Sequence, residues 1–265
     1  MTRLKDKTAV VTGSSSGNGR AIALALAAEG AKVVCSDIRK STRNGGYDID
    51  ADRDTDDLIR GTGGTAEYLD ADASKAADIQ AVVDHAIETF GRLDVMVNNA
   101  GILPAPQTIA DETEEEFDRV MRVNCKSVWL GCKAAVTRMR QQDVVDGTRG
   151  RVVNIASIGG LVGLPTAPAY STAKGAVVNL TRQLAADFSA ERINVNAVCP
   201  GFLHTAMLRP LLDTPELNQA LHGTTPWPDL GRAEDVAKAT VFLASGDASW
   251  ASGSILTIDG GYTAR

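Results

Sequence analysis

The sequence has few histidines, few aromatic residues and no closely paired cysteines. It contains 3 His, and Phe, Trp and Tyr together make up 5% of its 265 residues. Its four cysteines form no CxxC pair and no metal-ligand spacing, which argues against a zinc site and a disulfide framework. We therefore predict no metal, and we expect reduced thiols in or near the core of a cytoplasmic protein at Cys35, Cys125, Cys132 and Cys199.

Basic clusters and long apolar runs are also missing. Lys and Arg number 27 against 33 Asp and Glu, a formal charge of −6, and no basic block could follow a phosphate backbone. The start, MTRLKDKTAVVTG, has too few consecutive apolar residues for a signal-peptide core or a membrane span. These absences argue against nucleic acid, a membrane and export, and they leave a small molecule as the expected partner.

What the sequence does contain is an alternation of short β-branched runs with longer alanine-rich stretches. This alternation predicts strand and helix units that share a parallel sheet covered on both faces. Because no linker or repeat interrupts it, we expect one domain over residues 1–265. Strands are predicted at residues 7–13, 32–37, 66–71, 93–101, 151–157, 193–201 and 254–261. Helices are predicted at residues 17–29, 56–62, 75–90, 113–141, 171–190 and 234–245, with a weaker pattern at 207–221.

A glycine-rich turn, TGSSSGNG, lies between the first predicted strand and the first predicted helix. Its glycines permit backbone angles and close approaches that a Cβ would block; they are Gly13, Gly17 and Gly19. The helix N-terminus offers unpaired N–H groups to a pyrophosphate, although glycine could also serve simply to start the helix. Asp37 ends the second strand, where a carboxylate binds ribose hydroxyls and repels a 2′-phosphate, so NAD is preferred over NADP. Arg39 and Lys40 would partly offset that repulsion.

The same turn also has the spacing G-x-S-x-G, the pattern of a hydrolase nucleophile elbow with Ser15 at its centre. An elbow needs an oxyanion-hole N–H from the loop of an earlier strand, but the turn follows the first strand of the chain. The candidate bases have no evident carboxylate partner; they are His85, His204 and His222. The sequence therefore disfavours a serine hydrolase, the rival class of enzyme.

A second polar set follows the fifth predicted strand. Ser157 comes directly after that strand, and Tyr170 and Lys174 are four residues apart at the start of a helix, which places them on one helix face. A tyrosine titrates near 10 when free, so it needs a nearby cation before it exchanges protons at neutral pH. Ser157 could hydrogen-bond a substrate oxygen beside the phenol. The alternative is a surface tyrosine with an ordinary solvated lysine.

Together these segments resemble the short-chain dehydrogenase/reductase family in its single-domain form. The resemblance spans nearly the whole chain in the family's order, and its segments are TGSSSGNG (12–19), Asp72, NNAG (98–101), Asn124, Ser157, YSTAK (170–174) and PGFLHT (200–205). It implies an α/β, three-layer, doubly wound Rossmann fold with a seven-stranded parallel sheet. It also implies hydride transfer between NAD(H) and a secondary alcohol or ketone, in a homotetramer built on the long helices and the C-terminal segment.

The resemblance assigns roles to four residues. Tyr170 would be the catalytic acid/base, and Ser157 would orient and polarise the substrate oxygen. Lys174 would lower the pKa of the tyrosine and bind the nicotinamide ribose. Asn124 resembles the family's fourth catalytic residue, which supports a water-linked proton relay with the lysine.

The resemblance also implies a set of cofactor contacts. They comprise Gly13, Ser15, Ser16, Gly17, Asn18, Gly19, Asp37, Asp72, Ala73, Asn98, Ala100, Gly101, Val123, Tyr170, Lys174, Pro200, Gly201, Leu203 and Thr205, with Ile22 as a weaker addition. One departure is Asn18, where the family usually has an apolar residue between the last two turn glycines. This change would alter packing near the nicotinamide ribose without removing the pyrophosphate site.

The segments expected around the substrate are mainly apolar. They span residues 102–106, 158–165 and 202–227, and they predict substrate contacts from Ser157, Tyr170, Leu103, Leu164, His204 and Met207. Such a pocket would suit an apolar, cyclic or aryl-substituted secondary alcohol or ketone. The same residues could instead pack a lid onto the core, and Arg209 could receive a carboxylate or remain solvated.

Residues 41–57 form an insertion, because the connection between the second and third strands is roughly ten residues longer than the family leads us to expect. Its aspartates lack the glycine and glutamate positions of an EF-hand loop, so we predict no calcium site. We expect a short helix with Asp56 and Asp57 in its first turn. The insertion loosely resembles that of the mycofactocin-linked group, whose nicotinamide does not exchange freely, and we expect it to cover the adenosine side or a subunit contact. A non-catalytic NAD-binding regulator on the same fold stays the alternative function.

Overall fold

A computed structural model describes residues 2–264. Its strands are β1 (Thr8–Thr12), β2 (Lys32–Asp37), β3 (Thr65–Asp70), β4 (Val95–Asn98), β5 (Gly150–Ile155), β6 (Ile193–Pro200), β7 (Leu203–His204), β8 (Gly231–Arg232) and β9 (Ile255–Ile258). Seven of these strands form one parallel sheet in the order β3-β2-β1-β4-β5-β6-β9. The predicted seven-stranded parallel sheet is thus confirmed. The short β7–β8 pair was not predicted.

The helices are α1 (Gly17–Ala28), α2 (Thr55–Gly61), α3 (Ala76–Phe90), α4 (Glu114–Met121), α5 (Ser127–Met139), α6 (Pro168–Phe188), α7 (Arg209–Leu212), α8 (Pro215–Thr224) and α9 (Ala233–Ala244). The long helix predicted at 113–141 runs without a break from Glu114 to Met139, and a π-helical turn at Arg122–Lys126 separates its α-helical parts, α4 and α5. The weaker pattern at 207–221 corresponds to α7 and α8. Among residues 2–264, no helix is long and apolar enough to cross a membrane.

Helices cover both faces of the sheet. Ala9 and Val11 of β1 face a core shared with α1 and α9, whereas Val10 between them faces a core shared with α3, α5 and α6. Each face is apolar because successive strand side chains point to opposite sides. This is the three-layer, doubly wound arrangement, and its strand order reverses between β1 and β4. Ligands of such sheets bind beyond the carboxyl ends of the strands at that point.

The insertion follows β2 and has no regular secondary structure before α2. Arg20 of α1, which is 1% exposed, holds it in place. One guanidinium nitrogen, Nη2, donates to the carbonyls of Ile49 at 3.0 Å and Asp50 at 2.7 Å. The other, Nη1, donates to the carbonyl of Arg53 at 2.9 Å. Much of the insertion is therefore fixed against α1.

Cations lie among the aspartates at the end of the insertion. The carboxylates of Asp54, Asp56 and Asp57 have oxygens within 4.8 Å of one another. Lys40 Nζ lies 3.6 Å from Oδ2 of Asp54, 3.2 Å from Oδ2 of Asp56 and 3.8 Å from Oδ2 of Asp57. Arg60 pairs with Asp56 at 2.8 Å and also with Asp57. The cluster thus carries its own counter-charges, and Asp56 and Asp57 occupy the first turn of α2.

Candidate active site

A cavity of about 940 Å³ opens at the carboxyl ends of β1, β4, β5 and β6. Each of these strands is followed by residues of the cavity wall. They include Gly13 after β1, Ala100 after β4, Ser157 after β5 and Gly201 after β6. The sequence predicted these segments as separate motifs, and the parallel sheet brings them together at one edge.

Glycine is required at two points of the first turn. A Cβ on Gly19 would lie 1.9 Å from the carbonyl oxygen of Gly13, and Gly13 itself has a φ of +66°. A Cβ on Gly13 would lie 2.9 Å from Cα of Ala100. The turn therefore approaches the end of β4 more closely than any side chain would allow. It leaves a backbone-lined cradle in front of α1 that suits a pyrophosphate.

The N-terminus of α1 already has an anionic contact. The N–H of Gly17 donates to Oδ1 of Asp48 at 2.8 Å. Asp48 belongs to the insertion, and burial raises the pKa of its carboxyl group. The insertion therefore lies over the phosphate end of the cradle. Our prediction that it covers the adenosine side or a subunit contact did not include this position.

Asp37 lines the cavity at the end of β2. Its carboxylate accepts hydrogen bonds from the N–H of Ser15 at 3.1 Å and from the N–H of Ile38 at 2.8 Å. These bonds fix the carboxylate beside the glycine-rich turn. Arg43, from the insertion, lines the same part of the cavity, and the sequence did not single it out.

Three further residues predicted to contact the cofactor also line the cavity. They are Asp72, Ala73 and Val123. Asp72 Oδ1 accepts hydrogen bonds from the backbone N–H of Ser74 at 2.9 Å and from its hydroxyl at 2.7 Å, which fix the turn after β3. The other predicted cofactor contacts that line the cavity are Gly13, Ser16, Gly17, Asn18, Ala100, Gly101, Pro200, Gly201, Leu203 and Thr205.

Ser157, Tyr170 and Lys174 all line this cavity. Lys174 is 4% exposed; its Nζ donates to the carbonyl of Ile155 at 2.8 Å and lies 5.8 Å from the centroid of the Tyr170 ring. Burial lowers the pKa of Lys174 to about 8. The ammonium group can therefore exchange a proton near neutral pH.

The pKa of Tyr170 is shifted in the opposite direction from the one the resemblance implies. The residue is only partly exposed, and this partial burial raises the pKa of its hydroxyl group. The neighbouring hydroxyl of Ser157 lowers the pKa of Tyr170 by less than burial raises it. Lys174 is not among the groups that lower the pKa of Tyr170 in this structure.

Asn124 lies in the π-helical turn between α4 and α5 and is fully buried. Its Nδ2 donates to the carbonyl of Ile102 at 2.8 Å, and its Oδ1 accepts from the N–H of Ile102 at 2.7 Å. A Cβ on Gly101 would lie 3.2 Å from Asn124 Oδ1 and 3.8 Å from Lys174 Nζ. The side chains of Asn124 and Lys174 thus both approach Gly101.

Among residues 2–264, several of the predicted cofactor contacts do not line the cavity. Ser15 is buried and its hydroxyl donates to the carbonyl of Arg39 at 2.6 Å, so it is not placed as a nucleophile. Asn98 Nδ2 donates to Oδ1 of Asn154 at 2.9 Å inside the core. Gly19 supports the turn from behind, and Ile22 belongs to the core.

His204 also lies outside the lining, in contrast to its predicted contact with substrate. Its ring stacks on Tyr47 of the insertion, with centroids 5.4 Å apart. The physical reason is the period of two along a strand: in β7, Leu203 and His204 point to opposite sides. Leu203 faces the cavity.

The cavity wall near Tyr170 is mainly apolar. The predicted contacts Leu103, Leu164 and Met207 line it. Four further lining residues lie in the predicted segment 202–227 but were not named individually: Phe202, Leu217, Leu221 and Thr224. Tyr262 also lines the cavity and lies outside the predicted segments. The apolar spacing of Leu217 and Leu221 on α8, four residues apart, could have indicated them.

The chain is similar to known dehydrogenases over its whole length. Residues 13–263 match the family model described as enoyl-(acyl carrier protein) reductase. The chain is 38% identical over 260 residues to 2-(R)-hydroxypropyl-CoM dehydrogenase of Xanthobacter autotrophicus, covering 97% of this chain and 99% of that one. It is 39% identical over 265 residues to cyclopentanol dehydrogenase of a Comamonas species, covering 100% of both.

A solved structure has the same fold. It is that of a putative 2-deoxy-D-gluconate 3-dehydrogenase from Agrobacterium tumefaciens with bound NADP. The TM-score is 0.86 and the identity 36%, with 100% of this chain and 99% of that chain covered.

Proposed function

The chain belongs to the short-chain dehydrogenase/reductase family, and from this premise we propose that it transfers a hydride between NAD(H) and an apolar or cyclic secondary alcohol or ketone. The observation that carries the proposal is the meeting of Ser157, Tyr170 and Lys174 in one cavity at the switch point of the sheet. Members of this family act as oxidoreductases, and relatives of this chain are named as dehydrogenases of alcohols. We propose that the protein works as a cytoplasmic homotetramer.

The cradle in front of α1 fits a dinucleotide. Close packing at Gly13 and Gly19 requires a turn without Cβ atoms at these two positions, which brings backbone close to where a pyrophosphate would lie. Asp37 would hold the adenosine ribose, and Lys174 would hold the nicotinamide ribose. The dinucleotide, when bound, would accept or supply the hydride.

The residues of this chain manage the proton. In alcohol oxidation Tyr170 takes the hydroxyl proton, and in ketone reduction it donates one. Ser157 holds the substrate oxygen beside the phenol. Lys174, with its pKa near 8, and Asn124 would pass the proton onward through water.

The preference for NAD rests on Asp37. Its carboxylate is fixed beside the turn and would repel a 2′-phosphate, although a solved relative holds NADP. Replacing Asp37 with serine should raise the ratio of kcat/KM for NADP over NAD by about 10- to 100-fold, because a charge repulsion of a few kcal/mol is removed. Steady-state kinetics with both cofactors measure the ratio. Asp70→Ser, which changes a more distant carboxylate at the end of β3, is the control.

The substrate class follows from the apolar wall around Leu103, Leu164 and Met207. We expect NADH absorbance to rise with cyclic and aryl secondary alcohols and to stay flat with phosphorylated or polyanionic ones. A panel of such alcohols with NAD tests this directly. Binding of NAD with no turnover across the panel would favour a non-catalytic regulator instead.

A further inference from the structure

We propose that Asp48 competes with the phosphate of the cofactor for one donor. Its carboxylate accepts a hydrogen bond from the N–H of Gly17, and a dinucleotide must displace it to bind. This inference rests on the proposed function, because it presupposes a dinucleotide in the cradle. It assigns a role to the insertion in setting cofactor affinity.

The position of Asp48 supports direct competition. Its Oδ1 accepts from the N–H of Gly17 at 2.8 Å, in the first turn of α1. A Cβ on Gly46 would lie 3.0 Å from Asp48 Oδ2 and 3.6 Å from Cβ of Ala206. Gly17 and Ala206 both line the cavity, and the carboxylate of Asp48 contacts its wall at Gly17.

The second oxygen of Asp48 is incompletely satisfied. Asp48 Oδ2 is buried and has no hydrogen-bond partner among residues 2–264. A buried carboxylate oxygen without a donor costs free energy. Asp48 is therefore a weaker occupant of the site than a group that could accept several hydrogen bonds there.

A phosphate and a carboxylate need the same donor. The N–H of Gly17 is one of the four N–H groups at the start of α1 that have no partner inside the helix, and it attracts anions because the helix dipole adds to it. A single N–H cannot make a full hydrogen bond to both anions, and two anions at this distance repel each other. Binding of the cofactor therefore exchanges one anion for the other.

The insertion is held by a buried contact after Asp48 and by an exposed contact before it. Arg20, which is buried, holds the residues that follow. Arg209 of α7, which is exposed at 43% of its side chain, donates to the carbonyl of Gly45 at 2.5 Å and lies over the ring of Tyr47 at 5.8 Å. Breaking the exposed contact would let the carboxylate swing away while the buried anchor holds.

The test compares Asp48→Asn with Asp52→Asn by isothermal titration calorimetry. Asp52 is an exposed carboxylate of the same insertion, so its replacement makes the same change in net charge. The ligands are ADP-ribose, which carries the pyrophosphate, and adenosine, which does not. We expect Asp48→Asn to bind ADP-ribose about tenfold more tightly, because the charged competitor is lost, and to bind adenosine with unchanged affinity. Asp52→Asn should change both affinities by less than about twofold.

The outcomes separate this inference from the proposed function. If the parent protein binds ADP-ribose and Asp48→Asn binds it no more tightly, the competition is disproved while the dinucleotide site stands. An equal gain for adenosine would also overturn the competition, since it would show general loosening of the insertion. If no variant binds ADP-ribose or NADH, both proposals fail. Thermal unfolding of each variant checks that the fold is retained.

Discussion

Replacing Tyr170 with phenylalanine should lower kcat by about a thousandfold or more while the dissociation constant for NADH changes by less than about twofold. The substitution removes the hydroxyl that meets Ser157 in the cavity and leaves the ring in place. Because proton transfer by a positioned group contributes about 10²- to 10⁴-fold, the loss should fall on turnover. Stopped-flow kinetics and fluorescence titration with NADH measure the two quantities separately.

Tyr47→Phe is the matched control for this experiment. Tyr47 lies outside the cavity lining, and its stacking on His204 needs only the ring. Its turnover should stay near that of the parent protein. Turnover by Tyr170→Phe at the parent rate would refute the role of Tyr170 as acid/base, and a matching loss of NADH binding would indicate a positioning role instead.

Replacing Lys174 with methionine should make the protein more stable and nearly inactive. Burial lowers the pKa of Lys174 from 10.5 to about 8, so the folded protein holds this proton less favourably than the unfolded chain, by about 3 kcal/mol at pH 7. Methionine keeps the aliphatic stem and removes the buried charge. We expect the free energy of unfolding to rise by about 1 to 3 kcal/mol, since the bond to Ile155 is also lost. Turnover should fall by about a hundredfold or more.

The stability gain should depend on pH in a defined direction. Below pH 8 lysine is protonated in both states, and the cost of burial is fully present. Between pH 8 and 10.5 the unfolded chain binds more protons than the folded one, so the parent protein becomes more stable as pH rises. The advantage of the methionine variant should therefore shrink across that window.

Urea unfolding of both proteins at several pH values measures this difference. Lys238→Met, at an exposed lysine of α9, is the control and should show little change at any pH. A Lys174→Met protein less stable than its parent at pH 7 would show that the ammonium group stabilises the fold. That result would contradict the lowered pKa.

The sequence predicts the sheet and the central residues of the site because both depend on strong local patterns. Continuous β-branched runs predict strands buried on both faces, and parallel strands end at one edge. Ser157 follows one such strand, and the spacing of Tyr170 and Lys174 places both on one helix face. Their meeting in the cavity follows from these local facts.

The remaining features depend on tertiary contacts that leave little local pattern. His204 points away from the cavity because of its register in a two-residue strand. The path of the insertion depends on Arg20, a single arginine that looks like an ordinary helix residue in the sequence. The contact between Asp48 and Gly17 spans 31 residues and ends in the irregular part of the insertion, so no periodicity could predict it.

Arg20 also makes the environment of a helix residue depend on the insertion. Its guanidinium donates to three carbonyls of the insertion and to the hydroxyl of Thr55 at 3.2 Å. Without the insertion the guanidinium would lose these acceptors together with the chain that contacts it. Its long side chain would then be free to extend into solvent, where water would satisfy its N–H groups. The burial of Arg20 is therefore a property of the insertion and not of α1 alone.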